Sequence, residues 1–371
     1  MKIVVFAGFY LPYIGGYIKN IHELSRRLVK DGHEVYVITC DTENLKDDYI
    51  DGVVIIRLPS WNLLNGTFPV PKLSKTLINC LFNKKAVGGV VITQTRFFIT
   101  SLLGLIYSKN HRLPLIHVER GTCHSVVPNR LVSVLAQVYD HTIGSLIVRS
   151  AKVNIGVSQS ACDFIKHLGG KNTQVVHNGI ETYLLKNNSS YDICYVGRLI
   201  YAKGVQDLIE AFNKCSIQNN NLRLLIVGDG NYKQELERQA NESKFRENIL
   251  FYGTKDHKEV IDILSKSDIF VNPSYSEGLP TSVMEAASVG LSIIATDVGG
   301  TNEIIEHNKS GILYKPHDVD QLAKEIMGLI KDATKSRKLG FKALCDMKDY
   351  FSWDDITNQY QKILKEIIVA K

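Results

Sequence analysis

The sequence predicts an α/β protein made of two doubly wound, Rossmann-like parallel-sheet domains, and three observations predict it. Short Val/Ile-rich runs alternate with longer helical patterns along the chain. The alternation lapses once, in a polar stretch, and then restarts. At 371 residues the chain also exceeds what one hydrophobic core packs efficiently, so two domains of roughly 150 to 200 residues are expected.

In order, Lys2–Phe6, Val35–Thr39, Val53–Arg57, Val90–Thr93, Leu115–Val118 and Lys152–Val157 read as the strands of the first sheet. The polar stretch from Glu181 to Ser190, ending in Lys186-Asn187-Asn188-Ser189-Ser190, reads as the linker, and Asn178-Gly179 before it supplies a turn. The second sheet is expected from Asp192–Val196, Leu222–Val227, Ile249–Phe251, Ile269–Val271, Ser292–Ala295 and Ile312–Tyr314, each spaced for one intervening helix. From Trp353 to Ile368 the apolar residues Ile356, Tyr360, Ile363, Leu364, Ile367 and Ile368 recur with helical spacing. The expected domains are therefore 1–185, 186–352 and a C-terminal helix, 353–371, that packs back toward the first domain.

Seven cysteines are scattered without a Cys-x-x-Cys pair, which argues against a disulfide framework or a zinc knuckle and fits a reducing cytosol. The apolar start, Met1 to Phe6, is too short for a signal h-region and reads as a buried strand. No run matches the ~18 to 20 apolar residues of a membrane span, since even 131–148 contains Gln137, Asp140 and His141, so membrane contact is expected to be peripheral. A net charge of +6 favours anionic partners such as nucleotides, phosphates or acidic lipid headgroups. With no zinc finger, RNP-type motif or long Lys/Arg run, nucleic acid is not an expected partner.

The most informative segment is Asn272-Pro273-Ser274-Tyr275-Ser276-Glu277-Gly278-Leu279-Pro280-Thr281-Ser282-Val283-Met284-Glu285-Ala286, a strand end, a glycine-containing loop and a helix. Open α/β sheets bind ligands beyond the carboxyl ends of their strands, and backbone N–H groups of Gly278 to Thr281 at a helix start suit sugar hydroxyls or phosphate oxygens. Glu277 and Glu285 could accept hydrogen bonds from a polyhydroxylated ligand. Equally, Ser282-x-x-Glu285 fits a helix capping box and Glu277 could be solvated. Gly197-Arg198 and Lys203-Gly204 place two cations at a strand-to-helix loop, where the helix dipole disfavours them and a diphosphate would neutralise them.

These segments resemble glycosyltransferase family four, the retaining family of glycosyl transferases group 1 with the GT-B fold. The resemblance rests on Glu277 to Glu285, Gly197-Arg198 with Lys203-Gly204, Gly228-Asp229-Gly230, Phe251-Tyr252-Gly253 and Gly299-Gly300 with Glu303. It rests also on Asn178-Gly179-Ile180 and on Gly15-Gly16 followed by Asp31-Gly32-His33-Glu34-Val35, in the family's order over nearly the whole chain. It implies two Rossmann-like domains facing a central cleft, the first on the acceptor side and the second binding a nucleotide sugar. Arg198 and Lys203 would bind the donor diphosphate, Glu277 the transferred sugar, Glu285 the ribose, and the backbone near Gly253-Thr254-Lys255 the base. Gly15 and Gly16 would let the first domain's loop approach the phosphates and acceptor; an ordinary turn is the other reading of that pair.

The resemblance implies a UDP- or GDP-sugar donor, a glycan or lipid-linked acceptor, and transfer on one face of the sugar with the departing phosphate helping to deprotonate the acceptor. The protein would then mainly position reactants and stabilise charge. No cofactor and no required metal are expected, because Asp318-Val319-Asp320 reads as the start of helix Gln321–Ile330 with Asp318 at its cap. Where the family carries a His-Gly pair after the strand at 115–118, this chain reads Glu119-Arg120-Gly121-Thr122-Cys123-His124. Arg120 cannot act as a base but can stabilise phosphate charge, and His124 stands close enough to substitute, so both are expected to line the cleft as catalytic residues. His117 alternates within an apolar strand and is expected to point into the sheet.

Between Trp61 and Lys85, Trp61, Leu63, Leu64, Phe68, Leu77, Leu81 and Phe82 mix with Lys72, Lys75, Lys84 and Lys85. This could be a basic amphipathic surface set against the anionic inner face of the cell membrane, or the buried face of a helix through Leu73, Leu77, Ile78 and Leu81. The competing functional readings are a nucleotide-sugar epimerase or phosphorylase on the same plan, an NAD-dependent oxidoreductase, and a non-catalytic sugar-nucleotide binder. The sequence Ala7-Gly8-Phe9-Tyr10-Leu11-Pro12 lacks the Gly-x-Gly-x-x-Gly spacing of a dinucleotide site, which counts against the oxidoreductase.

Overall fold

The computed structural model describes residues 1–13, 15–63, 68–82, 89–124, 130–183 and 192–369. The chain forms two compact units, one of Met1–Ser125, Asn129–Asn178 and Trp353–Lys371, the other of Gly179–Ser352. The expected linker residues Lys186 to Ser190 lie outside the described residues.

The first unit contains strands β1 (Lys2–Ala7), β2 (Glu34–Asp41), β3 (Asp48–Ile50), β4 (Val53–Leu63), β5 (Phe68–Pro71), β6 (Val90–Gln94), β7 (Leu115–Glu119), β8 (Val153–Gly156) and β9 (Thr173–Val175). Its sheet runs β3-β4-β2-β1-β6-β7-β8-β9, with β5 also paired to β4. Along that path from β4 to β9 the pairing is parallel, whereas β3 and β5 are antiparallel to β4. Apolar side chains from these strands and their crossover helices, among them Phe6, Ile38, Leu58, Val91, Leu115 and Ile147, close into one core. Burial on both faces explains why the parallel strands read as continuous apolar runs.

Helix Trp353–Val369 belongs to this first unit. It buries Trp353, Ile356, Tyr360, Ile363, Leu364 and Ile367. Gln361 donates to Asp31 at 2.8 Å, and the Arg27 guanidinium lies 5.4 Å from the centre of the Trp353 ring.

The segment after Trp61 divides between its two readings. Trp61 and Leu63 pair β4 with β5, and helix Lys75–Phe82 buries Leu77 and Leu81 but leaves Ile78 and Phe82 exposed, as is Leu73 before it. Leu64, Lys84 and Lys85 lie outside the described residues. A second exposed apolar face occurs on the helical run from Arg130 to Ser150; contrary to the expectation drawn from Gln137, Asp140 and His141, this run is long and apolar enough by length and composition to cross a membrane. Its first part, Arg130–Tyr139, exposes Leu131, Val134, Leu135 and Val138, one face at helical spacing. Its centre and end are tied into the unit: Asp140 is 2% exposed against Arg96, and Ile147 and Val148 are fully buried.

The second unit contains β10 (Asp192–Val196), β11 (Arg223–Val227), β12 (Ile249–Gly253), β13 (Ile269–Asn272), β14 (Ser292–Thr296) and β15 (Ile312–Tyr314). All pair in parallel, in the order β12-β11-β10-β13-β14-β15. Numbered within the unit this is 3-2-1-4-5-6, the order of a dinucleotide-binding sheet, whose strand order reverses between β10 and β13. Ligands bind such sheets in the crevice beyond the carboxyl ends of the strands at that reversal. Chain entry and exit run side by side in this unit, where Ile180 N donates to Phe351 O at 2.9 Å.

Candidate functional site

The second unit brings the loops after β10 and β13, which carry Arg198, Lys203 and Glu277, to this reversal point. After β10, Gly197 and Arg198 lead into a short 3-10 turn, Tyr201–Lys203, and then helix Val205–Ser216. After β13, residues 273–280 lead into helix Thr281–Ser288. The loops interlock. Gly204 has φ +66°, and a Cβ there would stand 2.0 Å from Pro273 O, while Tyr275 N donates to Ala202 O at 2.9 Å. The turn after β11 lies equally close: a Cβ on Gly228, at φ +138°, would meet Gly197 O at 1.9 Å, and one on Gly230 would meet Leu199 O at 2.2 Å. These glycines are where backbone must pass against backbone, which only glycine allows. Tyr195, fully buried, donates from its hydroxyl to Arg198 O at 3.1 Å and fixes the base of the same loop.

Within this frame Lys203 Nζ pairs with Glu277 Oε1 at 2.7 Å, the two side chains 20% and 8% exposed. Ser274 Oγ donates to the same Glu277 oxygen at 2.6 Å, and Asn272 Nδ2 at 3.4 Å. Glu277 is therefore a gripped carboxylate, not a solvated one. Arg198 is exposed on the adjoining loop and makes no ion pair among the described residues. Glu285 lies one turn into helix Thr281–Ser288, is buried, and stands 3.3 Å from His257 Nδ1. The other nitrogen of His257, Nε2, is 3.0 Å from Tyr183 Oη. The capping-box reading of Ser282 and Glu285 does not hold, because Pro280 occupies the cap and makes no side-chain cap bond. Pro280 has no N–H, so Gly278, Leu279 and Thr281 carry the donors of that loop. Gly278 is held from behind, its carbonyl accepting from Gly300 N at 2.9 Å. Gly253, at φ +65°, ends β12 with its carbonyl on Gly228 N at 2.9 Å, and Thr254 beside it is exposed. Asp318 caps helix Val319–Lys331, its Oδ1 accepting from Gln321 N at 2.9 Å.

The first unit holds the remaining expected residues in two different settings. The Arg120 guanidinium donates to Asn178 Oδ1 at 2.7 Å and Gln94 Oε1 at 3.4 Å and lies 5.5 Å from the centre of the Tyr17 ring. Burial pushes its pKa down, against the pull of Tyr360, Tyr17 and Glu119. His124 Nδ1 is 2.7 Å from Asp140 Oδ2. Arg120 and His124 thus share a loop but no neighbours of their side chains. Arg96 and Glu119, which sequence reasoning passed over, connect the two. Arg96 donates to Asp140 at 2.8 and 3.0 Å and stands 3.1 Å from Glu119 Oε1, and that oxygen accepts from Arg120 N at 2.8 Å and Gly121 N at 2.7 Å. Burial pushes the Glu119 carboxyl up, but Arg96, His117 and the Gly121 N–H outweigh it and hold it well below the usual range. His117 is buried in β7 between Thr93 and Glu119. Gly15 precedes helix Gly16–Lys30 with extended backbone, and a Cβ there would meet only Ile18 Cδ1, at 3.9 Å.

His257, Tyr183, Ser274, Arg96 and Asp140 gave no sequence signal, since each acts on a residue distant in sequence or across a turn.

Comparison with known proteins follows the same division. The model of Glycosyltransferase Family 4 matches residues 14–184, and that of Glycosyl transferases group 1 matches 180–343. An uncharacterized glycosyltransferase of Methanocaldococcus jannaschii is 27% identical over 390 residues, 99% of each chain. A human subunit of phosphatidylinositol N-acetylglucosaminyltransferase is 24% identical, over 99% of this chain and 76% of that protein. Among solved structures, sucrose-phosphate synthase from Thermosynechococcus elongatus superposes with a TM-score of 0.84 at 21% identity over all of both chains. Anabaena HepE in complex with UDP-glucose superposes with a TM-score of 0.80 at 20% identity, over 99% of this chain and 100% of that one. These likenesses show the GT-B fold.

Proposed function

We propose, from the premise that the chain belongs to the group 1, family 4 glycosyltransferases, that it is a metal-independent, retaining enzyme taking its sugar from a UDP- or GDP-sugar. The observation that carries this reading is the Lys203–Glu277 pair, set at the strand-order reversal beside an exposed Arg198. In the structure the ammonium and carboxylate satisfy each other. A bound diphosphate would draw Lys203 and Arg198, whose two charges stabilise the phosphate as it departs, and the sugar's hydroxyls would then donate to Glu277. The N–H groups of Gly278, Leu279 and Thr281 face the same ligand, Glu285 takes the ribose, and the backbone at Gly253 and Thr254 takes the base.

In the first unit, Arg120 would stabilise phosphate charge; His124, expected beside it as a second catalytic residue, has its Nδ1 on Asp140 and shares no side-chain neighbour with Arg120, so its role would be to hold its loop. Nothing inside the unit demands a glycine at position 15, so the freedom of Gly15 and Gly16 would serve a donor or acceptor approaching from outside. The acceptor is a glycan or a lipid-linked glycan. Two relatives carry names of that kind, the human phosphatidylinositol N-acetylglucosaminyltransferase polypeptide and the glycogen synthase of Mycobacterium tuberculosis. The exposed face of Leu131, Val134, Leu135 and Val138, in a chain of net charge +6, supports peripheral contact with an anionic membrane surface.

A panel of uridine, guanosine and adenosine diphosphate sugars, screened by thermal shift, identifies the donor, because a ligand of the folded state raises its apparent stability. Failure of every nucleotide sugar to shift the melting point would end the reading. The anomeric configuration of the product, read by NMR, decides between retention and inversion. Transfer by Arg120→Ala at the wild-type rate, with unchanged donor affinity, would remove Arg120 from the step. Sedimentation with acidic liposomes that is absent at low salt would remove the membrane.

A further inference from the structure

Close to the Arg120 loop, the first unit gathers three histidines that take no direct part in the transfer described above. His124 follows β7, His141 lies in a π-helical stretch, Asp140–Gly144, and His167 ends helix Gln159–His167. One ring nitrogen from each lies within 4.8 Å of the other two. The ring centroids are 5.2 Å apart for His124 and His141, 5.9 Å for His124 and His167, and 5.4 Å for His141 and His167. Three imidazoles on one tetrahedral ion, each bonded at about 2.0–2.1 Å, hold their centroids about 5.2 Å apart. The ring centres already stand close to that spacing, and binding an ion asks the side chains to turn their nitrogens inward to about 3.3 Å from one another.

We infer that His124, His141 and His167 bind one Zn2+ ion, with water in the fourth position. The surroundings are built for it. Asp140 Oδ2 accepts from Nδ1–H of His124, which leaves Nε2 of the neutral ring as the ligand atom. The carboxylate is fixed in its turn by the two bonds from Arg96, so the orienting partner of the ligand is immobile and 2% exposed. The π stretch widens the helix at the point where consecutive residues do different work, Asp140 turned into the unit and His141 outward. His167 brings its ring to a helix C-terminus, where the dipole favours a cation. Phe164 closes one side, its ring 5.1 Å from His124 and 5.9 Å from His167. His141 and His167 are exposed and have no hydrogen-bond or ion-pair partner among the described residues, where their contacts are ring contacts with His124, Phe164 and each other, which leaves their nitrogens to an ion. Nitrogen ligands in this number suit zinc, and the ion would join three separate segments: the loop after β7, the π stretch and the helix after β8.

The test uses untagged full-length protein, stripped with a chelator, dialysed and kept free of nucleotide so that no diphosphate competes for metal. Calorimetric titration with Zn2+ is expected to give one site per chain. Co2+ in its place is expected to give the intense visible absorption of four-coordinate cobalt. His141→Ala and His167→Ala, both at exposed positions, are each expected to weaken binding at least about tenfold, and the double variant to lose the site while keeping the wild-type circular dichroism. Absence of stoichiometric Zn2+ binding by the wild type, or equal binding by the double variant, would overturn the assignment. Neither outcome touches the donor assignment, which the nucleotide-sugar panel tests separately.

Discussion

At the scale of single residues, the candidate donor site turns on a few charged groups, and some of them are already paired within the chain. Lys203 and Glu277 are the clearest case. On the proposed reading, Lys203→Ala removes one of the two charges that would stabilise the leaving phosphate, and one such group is worth about 10²- to 10³-fold in turnover. The expected result is a fall of that size in kcat in a radiolabelled-sugar transfer assay. Arg198, exposed and outside any ion pair among the described residues, is expected to show a larger effect on KM for the donor than Lys203 does. Glu119 makes a prediction about pH. Its carboxyl is held below its ordinary value in the folded state, so its stabilisation is fully present above the unfolded carboxylate pKa of about 4.3 and is lost as pH falls below that value. Glu119→Gln, which leaves Arg96 without half of its pairing, is expected to destabilise the first unit by about 3 kcal/mol at neutral pH. The gap between variant and wild type in denaturant melts should narrow as the pH drops below about 4.

At the scale of elements, the candidate donor site depends on loops packed backbone against backbone. Gly228→Ala would put a methyl 1.9 Å from the Gly197 carbonyl and demand a φ that alanine rarely adopts, so the loop bearing Arg198 must shift. The expected outcome is a loss of about 1–3 kcal/mol in thermal melts together with weakened nucleotide binding. What could be read from the sequence follows from burial. The central parallel strands are covered on both faces and announce themselves as apolar runs. Asp192–Val196 and Ile312–Tyr314 are found with their expected bounds, and the other strands differ only at their ends. The edge strands left no such mark. Asp48–Ile50 is short and largely exposed, and Phe68–Pro71 carries two prolines that suit it only to an antiparallel margin. Lys203 and Glu277 were legible because each sits in a local loop pattern. His257 under Glu285, and Asp140 behind His124, were not, since nothing local in either segment signals a contact with a residue 28 or 16 positions away in the folded chain.

At the scale of the whole molecule, the first unit is discontinuous in sequence, completed by residues 353–369, whereas the described residues of the second all lie within Gly179–Ser352. Six apolar side chains of the terminal helix are buried in the first unit, and each contributes about 1.5–3 kcal/mol, a sum comparable to the roughly 5–15 kcal/mol that stabilises a typical domain. A chain ending at Ser352 is expected to keep a protease-resistant second unit and to lose the first, as limited proteolysis followed by mass spectrometry would read. The same arrangement governs what happens on the ribosome. The first unit needs a helix that follows the whole of the second unit in the chain, so the second unit can reach its native state first, and the first unit's sheet is expected to stay incomplete and sticky until residues 353–369 have been made.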